Sequence, residues 1–212
     1  SYMATNEIGY IKVNRFARNT INEFKEGLNK LQKQNMKHLI IDLRGNGGGY
    51  MQTAIQLVDE LLDDKKLVVY TEGSKAPKQE YYTTSKGGFE QGKLVVLIDE
   101  GSASASEILS GAVQDYDRGL IIGRRSFGKG LVQKPFTLPD GSAIRLTIAR
   151  YHTPSGRCIQ RPYEDGKEEY YKEYIRRLNN GEFMSADSID LPDSLQYKTL
   201  NSKRTVYGGG GI

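Results

Sequence analysis

The chain has 212 residues, of which 37% are hydrophobic and 26% are charged, a composition typical of a soluble globular protein with one or two domains. The net charge of +4 is spread along the chain as mixed acidic and basic residues, which argues against nucleic-acid binding. No apolar run approaches the ~20 residues of a membrane span, and the single cysteine, Cys158, excludes an intrachain disulfide and a cysteine metal cluster. The first residues, SYMAT, show no signal-peptide pattern, which fits either a cytosolic protein or a fragment whose targeting segment was removed.

Residues 8 to 123 show strand and helix patterns in alternation. Strand patterns cover 8–14, 37–43, 66–72, 93–99 and 119–123, and helical patterns cover 20–34, 50–63 and a segment that begins near Ser104. A Tyr- and Thr-rich piece after residue 72 is typical of a hairpin. This alternation predicts an α/β fold.

The pattern changes after residue 130. Two strand patterns, 131–138 and 143–152, are joined by the turn sequence PDGS, and helices are absent there. Residues 164–178 are highly charged and predict an exposed surface helix, supported by two pairs at i,i+4 spacing, Glu168–Lys172 and Glu173–Arg177. The last residues, YGGGGI (207–212), are too rich in glycine to pack, so we expect a mobile loop or a domain boundary there.

Three turns rich in glycine or serine directly follow predicted strands, where α/β sheets carry their chemistry. They are DLRGNGGGY (42–50), DEGSASASE (99–107) and GRRSFGKGLVQ (123–133). The third is close to the phosphate-loop pattern, but Gly130 stands where Ser or Thr would hold magnesium, and a strand rather than a helix follows. In the first, Tyr50 replaces the third glycine of a dinucleotide-binding motif. Its glycines fit either a tight turn or a backbone that approaches a substrate and offers N–H donors to an oxyanion.

The second turn contains the most informative serine. Ser104 and Glu107 have the S-x-x-E spacing of a helix capping box, so Ser104 could be only an N-cap. A serine at a helix start also lies beside unpaired N–H groups and the positive end of the helix dipole, which stabilise an oxyanion. Ser104 is therefore a candidate nucleophile as well as a candidate cap.

A serine nucleophile needs a base, and the chain offers few. His38 begins an apolar strand and His152 ends another, so neither is a strong candidate. Lysine can serve if burial lowers its pKa towards neutrality. Lys129 is flanked by glycines and apolar residues with no acidic residue close in sequence, although a surface lysine is the alternative.

The motifs DLRGNGGG, GSASASEI and GKGLVQ, in this order and with Lys129 25 positions after Ser104, resemble the C-terminal processing peptidases, also called tail-specific proteases. The resemblance covers about residues 8–155. It implies a Clp protease/crotonase-like layered α/β core with a small additional β-rich and helical part at the C-terminus. It also implies that Ser104 is the nucleophile, Lys129 the general base and Gln133 the residue that orients the lysine.

The resemblance further implies an oxyanion hole made by the backbone N–H groups of Ala105 and one glycine of the first turn, with Gly49 favoured over Gly48 and Gly47. The role of Glu107 stays open between a cap and a polarising group. In a regular strand the Cα atoms of Lys129 and Gln133 would lie about 13 Å apart. We therefore expect irregular backbone at 128–130.

We divide the chain into a peptidase core, 1–160, and a C-terminal extension, 161–212, and find nothing like the PDZ domain that family members usually carry. The expected activity is a serine endopeptidase that cleaves exported or misfolded proteins near their C-termini, without metal or cofactor. Its partners are protein or peptide substrates, not nucleic acid, and an oligomer is possible. The resemblance implies a periplasmic or cell-envelope location. The alternatives are an inactive peptide- or ligand-binding module and a crotonase-like enzyme acting on acyl thioesters.

Overall fold

The computed structural model describes residues 1–84, 86–163, 166–189 and 191–212. The elements in chain order are β1 (Tyr2–Met3), β2 (Ile8–Lys12), α1 (Thr20–Gln32), β3 (His38–Asp42), α2 (Met51–Asp59), β4 (Leu67–Gly73), β5 (Ala76–Tyr82), β6 (Leu94–Ile98), α3 (Ala105–Asp115), β7 (Leu120–Gly123), β8 (Leu131–Thr137), β9 (Ala143–His152), α4 (Gly166–Asn179), β10 (Gln196–Lys198) and β11 (Thr205–Tyr207). Two short 3-10 helices cover Ala186–Ser188 and Asp193–Leu195. The α/β alternation predicted up to residue 123 is confirmed.

The first sheet has the order β1-β2-β3-β6-β7, and its strands from β2 to β7 are parallel. Each parallel connection needs a crossover, and α1, α2 and α3 lie in these crossovers. The buried apolar core lies between this sheet and the helices, and includes Phe24, Leu39, Val96 and Leu109. Since β3, β6 and β7 are neighbours, the turns that follow them leave the same edge of the sheet side by side.

The second sheet is antiparallel and has the order β5-β4-β9-β8. Residues 128–130 lie outside any strand, and Gly128 has φ +82°, a left-handed conformation that favours glycine. The irregular backbone predicted at 128–130 is therefore confirmed. A further irregularity in the pairing of β8 with β9 falls between Val132 and Gln133.

Helix α4 forms within the predicted charged segment, whose first two residues, 164 and 165, lie outside the described residues. The predicted i,i+4 pairs are wrong. The ion pairs that form instead are Lys172–Glu169, Arg161–Glu173 and Arg177–Glu182. Arg177 is only 3% exposed, so α4 is not a fully solvated helix. A pair on an exposed helix contributes only about 0.2–0.5 kcal/mol, so Lys172 pairs at i,i+3 spacing instead and Glu173 and Arg177 pair with residues outside α4. Among the described residues, no helix is both long and apolar enough to cross a membrane.

Candidate active site

The Ser104 turn begins α3 with a strained backbone. Ser104 has φ 57° and ψ −112°, a conformation rare for a residue with a side chain, and it is half-buried. Strained backbone of this kind is concentrated at active sites, where the surrounding structure enforces it. The two serines beside it have structural roles: the Ser102 hydroxyl donates to Leu43 O at 2.8 Å, and the Ser106 hydroxyl donates to Asn46 O at 2.8 Å. Ser104 forms the predicted capping box with Glu107, and it remains the candidate nucleophile of this turn.

Glu107, in the first turn of α3, joins the Ser104 turn to the Lys129 segment. Its Oε2 accepts the N–H of Ser104 at 2.6 Å and the N–H of Lys129 at 2.9 Å. Its Oε1 accepts the Ser126 hydroxyl and the Gly128 N–H, each at 2.6 Å. Both N–H groups donate to the same oxygen. The backbone nitrogens of Ser104 and Lys129 therefore lie no farther apart than the sum of these two hydrogen-bond lengths, 2.6 Å and 2.9 Å.

The Glu107 carboxyl is fully buried. Burial raises its pKa, and the hydrogen bonds from Ser126, Lys129, Gly128 and Ser104 act in the opposite direction. All four contacts are donors, and a carboxylate is an acceptor at both oxygens, so the ionised form satisfies every one of them. The S-x-x-E spacing pointed to Glu107 in the sequence, but its contacts to Gly128 and Lys129 could not be seen there.

Tyr151 of β9 ties the same two segments together from the other sheet. Its hydroxyl contacts the carbonyl oxygen of Ser104 at 3.0 Å and the carbonyl oxygen of Lys129. The side chain is 2% exposed, and burial followed by the nearby Glu107 charge raises the pKa of Tyr151 well above its usual value. The phenol therefore stays a protonated donor at neutral pH. No feature of the sequence singled out Tyr151.

The glycine turn after β3 packs directly on the Ser104 turn. A Cβ atom at Gly48 would lie 2.6 Å from Ala103 O, 2.8 Å from the Ser104 Cβ and 2.9 Å from the Ala105 nitrogen. Only glycine permits this approach, and Gly48 has φ +95° as well. The contact places the backbone of this turn beside the start of α3.

The hydrogen bonds of the turn separate the candidate oxyanion donors. The Gly48 N–H donates to the Asn46 side chain at 2.9 Å, so it is already engaged. The N–H groups of Gly47, Gly49 and Ala105 have no acceptor among the described residues. Gly47, however, makes no close approach to the Ser104 turn, because nothing lies within 4 Å of a Cβ built there. By the same measure Gly49 packs against the Phe16 backbone. Gly49 and Ala105 thus have free N–H groups, and their role as oxyanion donors, which the resemblance implied, stays a prediction.

Asn46 holds the turns in place and was not identified from the sequence. Its side-chain Nδ2 donates to Val13 O at 2.6 Å, and its own carbonyl accepts the N–H of Ala103 at 3.0 Å and the hydroxyl of Ser106. It is 1% exposed. The tripeptide Gly45-Asn46-Gly47 is visible in the sequence, but nothing there shows which distant groups an asparagine will bond.

Lys129 is half-buried, with its main chain held by Glu107 and Tyr151. Within the described part of the chain, its Nζ makes no hydrogen bond or ion pair. Gln133 is exposed on β8, opposite Thr147, and no described hydrogen bond joins it to Lys129. The structure therefore brings the main chains of Ser104 and Lys129 together, and the orienting role of Gln133 stays a prediction.

The glycine-rich end, residues 207–212, packs against Ser126, whose side chain bonds Glu107. Ser126, whose hydroxyl donates to Glu107, also accepts the N–H of Ile212 at 2.8 Å and donates its own N–H to Ile212 O at 3.1 Å. A Cβ at Gly211 would lie 2.7 Å from the Ser126 hydroxyl. The expectation that residues 207–212 are too glycine-rich to pack is wrong, because the missing side chains allow two backbones to approach closely.

The remaining candidates have other partners. His38 accepts the Lys93 N–H at 3.2 Å, and the His152 ring stacks on Tyr70 with centroids 4.7 Å apart. Burial raises the pKa of Cys158, which does not favour a reactive thiolate. The segment after β7 leads into strand β8, not into the helix of a phosphate loop. In the described ranges, no three His, Cys, Asp or Glu side chains are grouped so that they could hold a metal ion.

Comparison with known proteins gives one consistent family. The model of "Peptidase family S41" matches residues 7–166. The chain is 40% identical over 148 residues to a carboxyl-terminal-processing protease of Picosynechococcus sp. and 37% identical over 161 residues to a probable CtpA-like serine protease of Staphylococcus epidermidis. These alignments cover 70% and 74% of the chain but 35% and 32% of the relatives. The chain thus spans about a third of the length of these curated relatives.

Solved structures agree with the sequence comparison. A photosystem II D1 C-terminal processing protease superposes with a TM-score of 0.67 at 38% identity, over 72% of this chain and 39% of that one. A putative S41 protease from Bacteroides fragilis superposes with a TM-score of 0.62 at 16% identity, over 85% of this chain and 52% of that one, which bears on the fold alone. The layered α/β fold and the resemblance read from the three motifs are confirmed.

Proposed function

Because the chain belongs to peptidase family S41, we propose that it forms the catalytic core of a Ser/Lys endopeptidase that cleaves exported or misfolded proteins near their C-termini. The observation that supports this most is the Glu107 carboxylate, whose Oε2 bonds the backbone N–H groups of both Ser104 and Lys129. A serine that served only as a helix cap would not need a lysine segment anchored to the same atom.

In the proposed reaction, Ser104 attacks the scissile carbonyl while neutral Lys129 accepts its proton. The N–H groups of Ala105 and Gly49 stabilise the oxyanion, each contributing a few kcal/mol. Lys129 then protonates the departing amine, which leaves an acyl-enzyme on Ser104. Water, activated by the neutral lysine, hydrolyses the ester and restores the serine. Gln133 orients Lys129 in this proposal.

We also propose that the extension 161–212 supports the segment that carries Lys129. The Arg161 N–H donates to Gly128 O at 3.1 Å, and Ile212 bonds Ser126 on the other side of the same segment. These contacts favour an extension that helps to position Lys129 over one that is merely attached. The proposed location, the periplasm or cell envelope, depends on the family resemblance.

Labelling with a fluorophosphonate tests the activated serine without knowledge of the substrate. We expect the chain to be labelled on Ser104, as shown by peptide mapping, and the Ser104→Ala variant not to be labelled. Lys129→Ala should reduce the labelling rate by about 10²–10⁴-fold, the usual contribution of a general base. Ser142→Ala and Lys33→Ala, at exposed positions, are the matched controls and should react like the parent.

If the chain is instead an inactive binding module, we expect no labelling at Ser104. A folded chain that is not labelled at Ser104, or is labelled at the same rate after Lys129→Ala, would overturn the Ser/Lys mechanism. Digestion of an unfolded protein with an apolar C-terminus then tests the endopeptidase activity, with the same four variants.

A further inference from the structure

The Lys129 segment, residues 125–130, belongs to no helix or strand, so its backbone polar groups need partners from elsewhere in the fold. Most of its N–H and C=O groups bond distant parts of the core and the extension, namely Ser102, Glu107, Tyr151, Gln160, Arg161 and Ile212. The carbonyl groups of Arg125 and Ser126 both accept from one side chain, Arg177 of α4. The extension therefore contacts the start of the Lys129 segment through a single arginine side chain.

Arg177 uses all three nitrogens of its guanidinium group. Its Nη1 donates to Ser126 O at 3.1 Å, and its Nη2 donates to Arg125 O at 2.6 Å. Its Nε donates to Glu182 Oε1 at 2.8 Å. A planar guanidinium group can reach two successive carbonyls and a carboxylate at once, whereas the ammonium group of a lysine is a compact point donor. This set of contacts therefore requires arginine.

Glu182 holds the guanidinium groups of two arginines. Its carboxylate also accepts from Arg125, at 2.8 Å from Nε and 2.9 Å from Nη2. Burial acts to raise the pKa of Glu182, but the hydrogen bonds and charges of Arg125 and Arg177 outweigh it and hold that pKa below its usual value. Glu182 thus stays ionised at neutral pH and links the Lys129 segment to α4 by ion pairs.

Helix α4 is unusual in what it buries. A surface helix normally buries an apolar stripe. In Gly166–Asn179, the residue buried among those that the structure describes is Arg177, while Tyr171, Ile175 and Leu178 are exposed. Burying a charged group is unfavourable unless it is paired and its donors are used. The contacts of Arg177 meet this condition at Glu182 and at the Lys129 segment, so its burial serves the contact between these parts rather than apolar packing.

We propose that Arg177 is a positioning residue of the peptidase, which holds the backbone before Lys129 so that the lysine side chain reaches Ser104. This inference rests on the proposed function and names the residue of the extension on which the site depends. Arg177 contacts neither Ser104 nor the Lys129 side chain in the described hydrogen bonds. Its effect on the reaction is therefore exerted through the Lys129 segment.

Ser126 connects Arg177 to the candidate site. The Ser126 carbonyl accepts from Arg177, and the Ser126 hydroxyl donates to Glu107 at 2.6 Å. The Glu107 carboxylate in turn accepts the N–H groups of Ser104 and Lys129. A displacement of Ser126 would therefore disturb the carboxylate that bonds both segments. A misplacement of about 1 Å can slow an enzymatic reaction by roughly a hundredfold.

Saturation kinetics of fluorophosphonate labelling separate a positioning role from a structural one. Arg177→Lys keeps the charge but cannot make the three contacts together. We expect the maximal rate constant for labelling of Ser104 to fall about ten- to a hundredfold. The reagent concentration at half-maximal rate should stay within about twofold of that of the parent. A residue with only a structural role would lower the stability to unfolding and leave the rate constant of the folded chain unchanged.

Arg118→Lys is the matched control. Arg118 also donates from all three guanidinium nitrogens, to the backbone carbonyls of Leu61, Phe89 and Gly92, each at 2.9 Å. In the described part of the chain, none of these three residues is bonded to the Ser104 turn or the Lys129 segment. The control loses the same kind of hydrogen bond, and its labelling rate should stay within about twofold of the parent's.

Hydrogen exchange measures the contact itself, whatever the activity of the chain. In a peptide that covers residues 124–131, Arg177→Lys should accelerate amide exchange about tenfold or more, and Arg118→Lys should not. If Arg177→Lys does not fold, Glu182→Gln replaces it, because this change removes the carboxylate that Arg125 and Arg177 share. It should slow labelling and accelerate exchange in the same direction.

The outcomes separate this inference from the peptidase proposal. If the parent is labelled at Ser104 and Arg177→Lys has the same maximal rate constant, the positioning role is overturned and the peptidase proposal stands. Equal slowing by Arg118→Lys, or unchanged exchange in residues 124–131, also overturns the positioning role. If the folded parent is not labelled at all, the peptidase proposal itself fails, and the positioning role fails with it.

Discussion

The turn that carries Ser104 and the segment that carries Lys129 are built in opposite ways. The first leaves a parallel sheet covered by helices, and the groups around it, such as Asn46 and Ser106, are buried and bonded. The second precedes β8 of an antiparallel hairpin whose outer residues are exposed. The candidate site therefore lies where the buried, helix-covered sheet meets the exposed hairpin. Glu107 and Tyr151 connect the Ser104 turn to the Lys129 segment, and this connection is called the junction below.

The largest effect should come from Glu107→Gln. An amide accepts at one atom only, so two of the four donors would lose their acceptor and face an NH₂ group. We expect a loss of roughly 2–6 kcal/mol in the free energy of unfolding, at about 1–3 kcal/mol for each of the two buried unsatisfied groups. Labelling of Ser104 should slow by at least about a hundredfold in the folded fraction.

Chemical denaturation and fluorophosphonate labelling measure these two effects separately. Glu90→Gln is the matched control, since Glu90 accepts one backbone N–H, from Gly87, away from the site. If Glu107→Gln retained the parent's stability and labelling rate, Glu107 would not be the residue that couples the two segments.

Tyr151→Phe should weaken the same junction less. The ring and its packing remain, but the hydroxyl that contacts Ser104 O and Lys129 O is lost. We expect about 1–2 kcal/mol lower stability and roughly tenfold slower labelling. Tyr163→Phe, at a residue that is 56% exposed, serves as the control. A slower labelling rate at unchanged stability would assign the hydroxyl to positioning alone, whereas no change in either would remove Tyr151 from the junction.

The smallest effect on Ser104 labelling is predicted beyond the other end of α3, at Asp117, where the change should affect stability alone. Burial alone would raise the pKa of Asp117, but hydrogen bonds from Ser202 and Arg204 lower it to about 2. Because the folded pKa lies below the unfolded value of 3.8, Asp117 stabilises the fold above that value, and the contribution is lost as the pH falls towards 2. Asp117→Asn should cost about 2 kcal/mol near neutral pH and almost nothing near pH 2.

Urea unfolding at several pH values checks this, with labelling of Ser104 measured near neutral pH. Labelling should equal that of the parent, because Asp117 anchors residues 199–204 and does not contact the junction. A stability difference between Asp117→Asn and the parent that does not change with pH would contradict the pKa argument. A loss of Ser104 labelling would show that residues beyond the far end of α3 also support the candidate site.

The sequence predicted those features that depend on local order. Strand and helix periodicities up to residue 123 reflect which side chains face a core, and glycines at 128 and 130 signalled irregular backbone. Ser104 and Lys129 were candidates from their turns, and the order and spacing of the three motifs, through the family resemblance, predicted their roles as nucleophile and base. Two predictions failed for a shared reason: Glu173 and Arg177 of α4 pair with Arg161 and Glu182, which lie outside the helix, and residues 207–212 pack on Ser126, and helical spacing reveals none of these partners.

By itself, the amino-acid sequence determined the α/β class and the three turns, since short-range patterning is enough for both, and the resemblance carried by those turns named Ser104 and Lys129 as the candidate nucleophile and base. Only the tertiary structure decided that Glu107 would accept from both segments, that Tyr151 would bridge them and that Gly49 rather than Gly48 would keep a free N–H. The physical reason is that a buried polar group takes whichever donor or acceptor the folded chain brings to it, and sequence spacing does not record that choice.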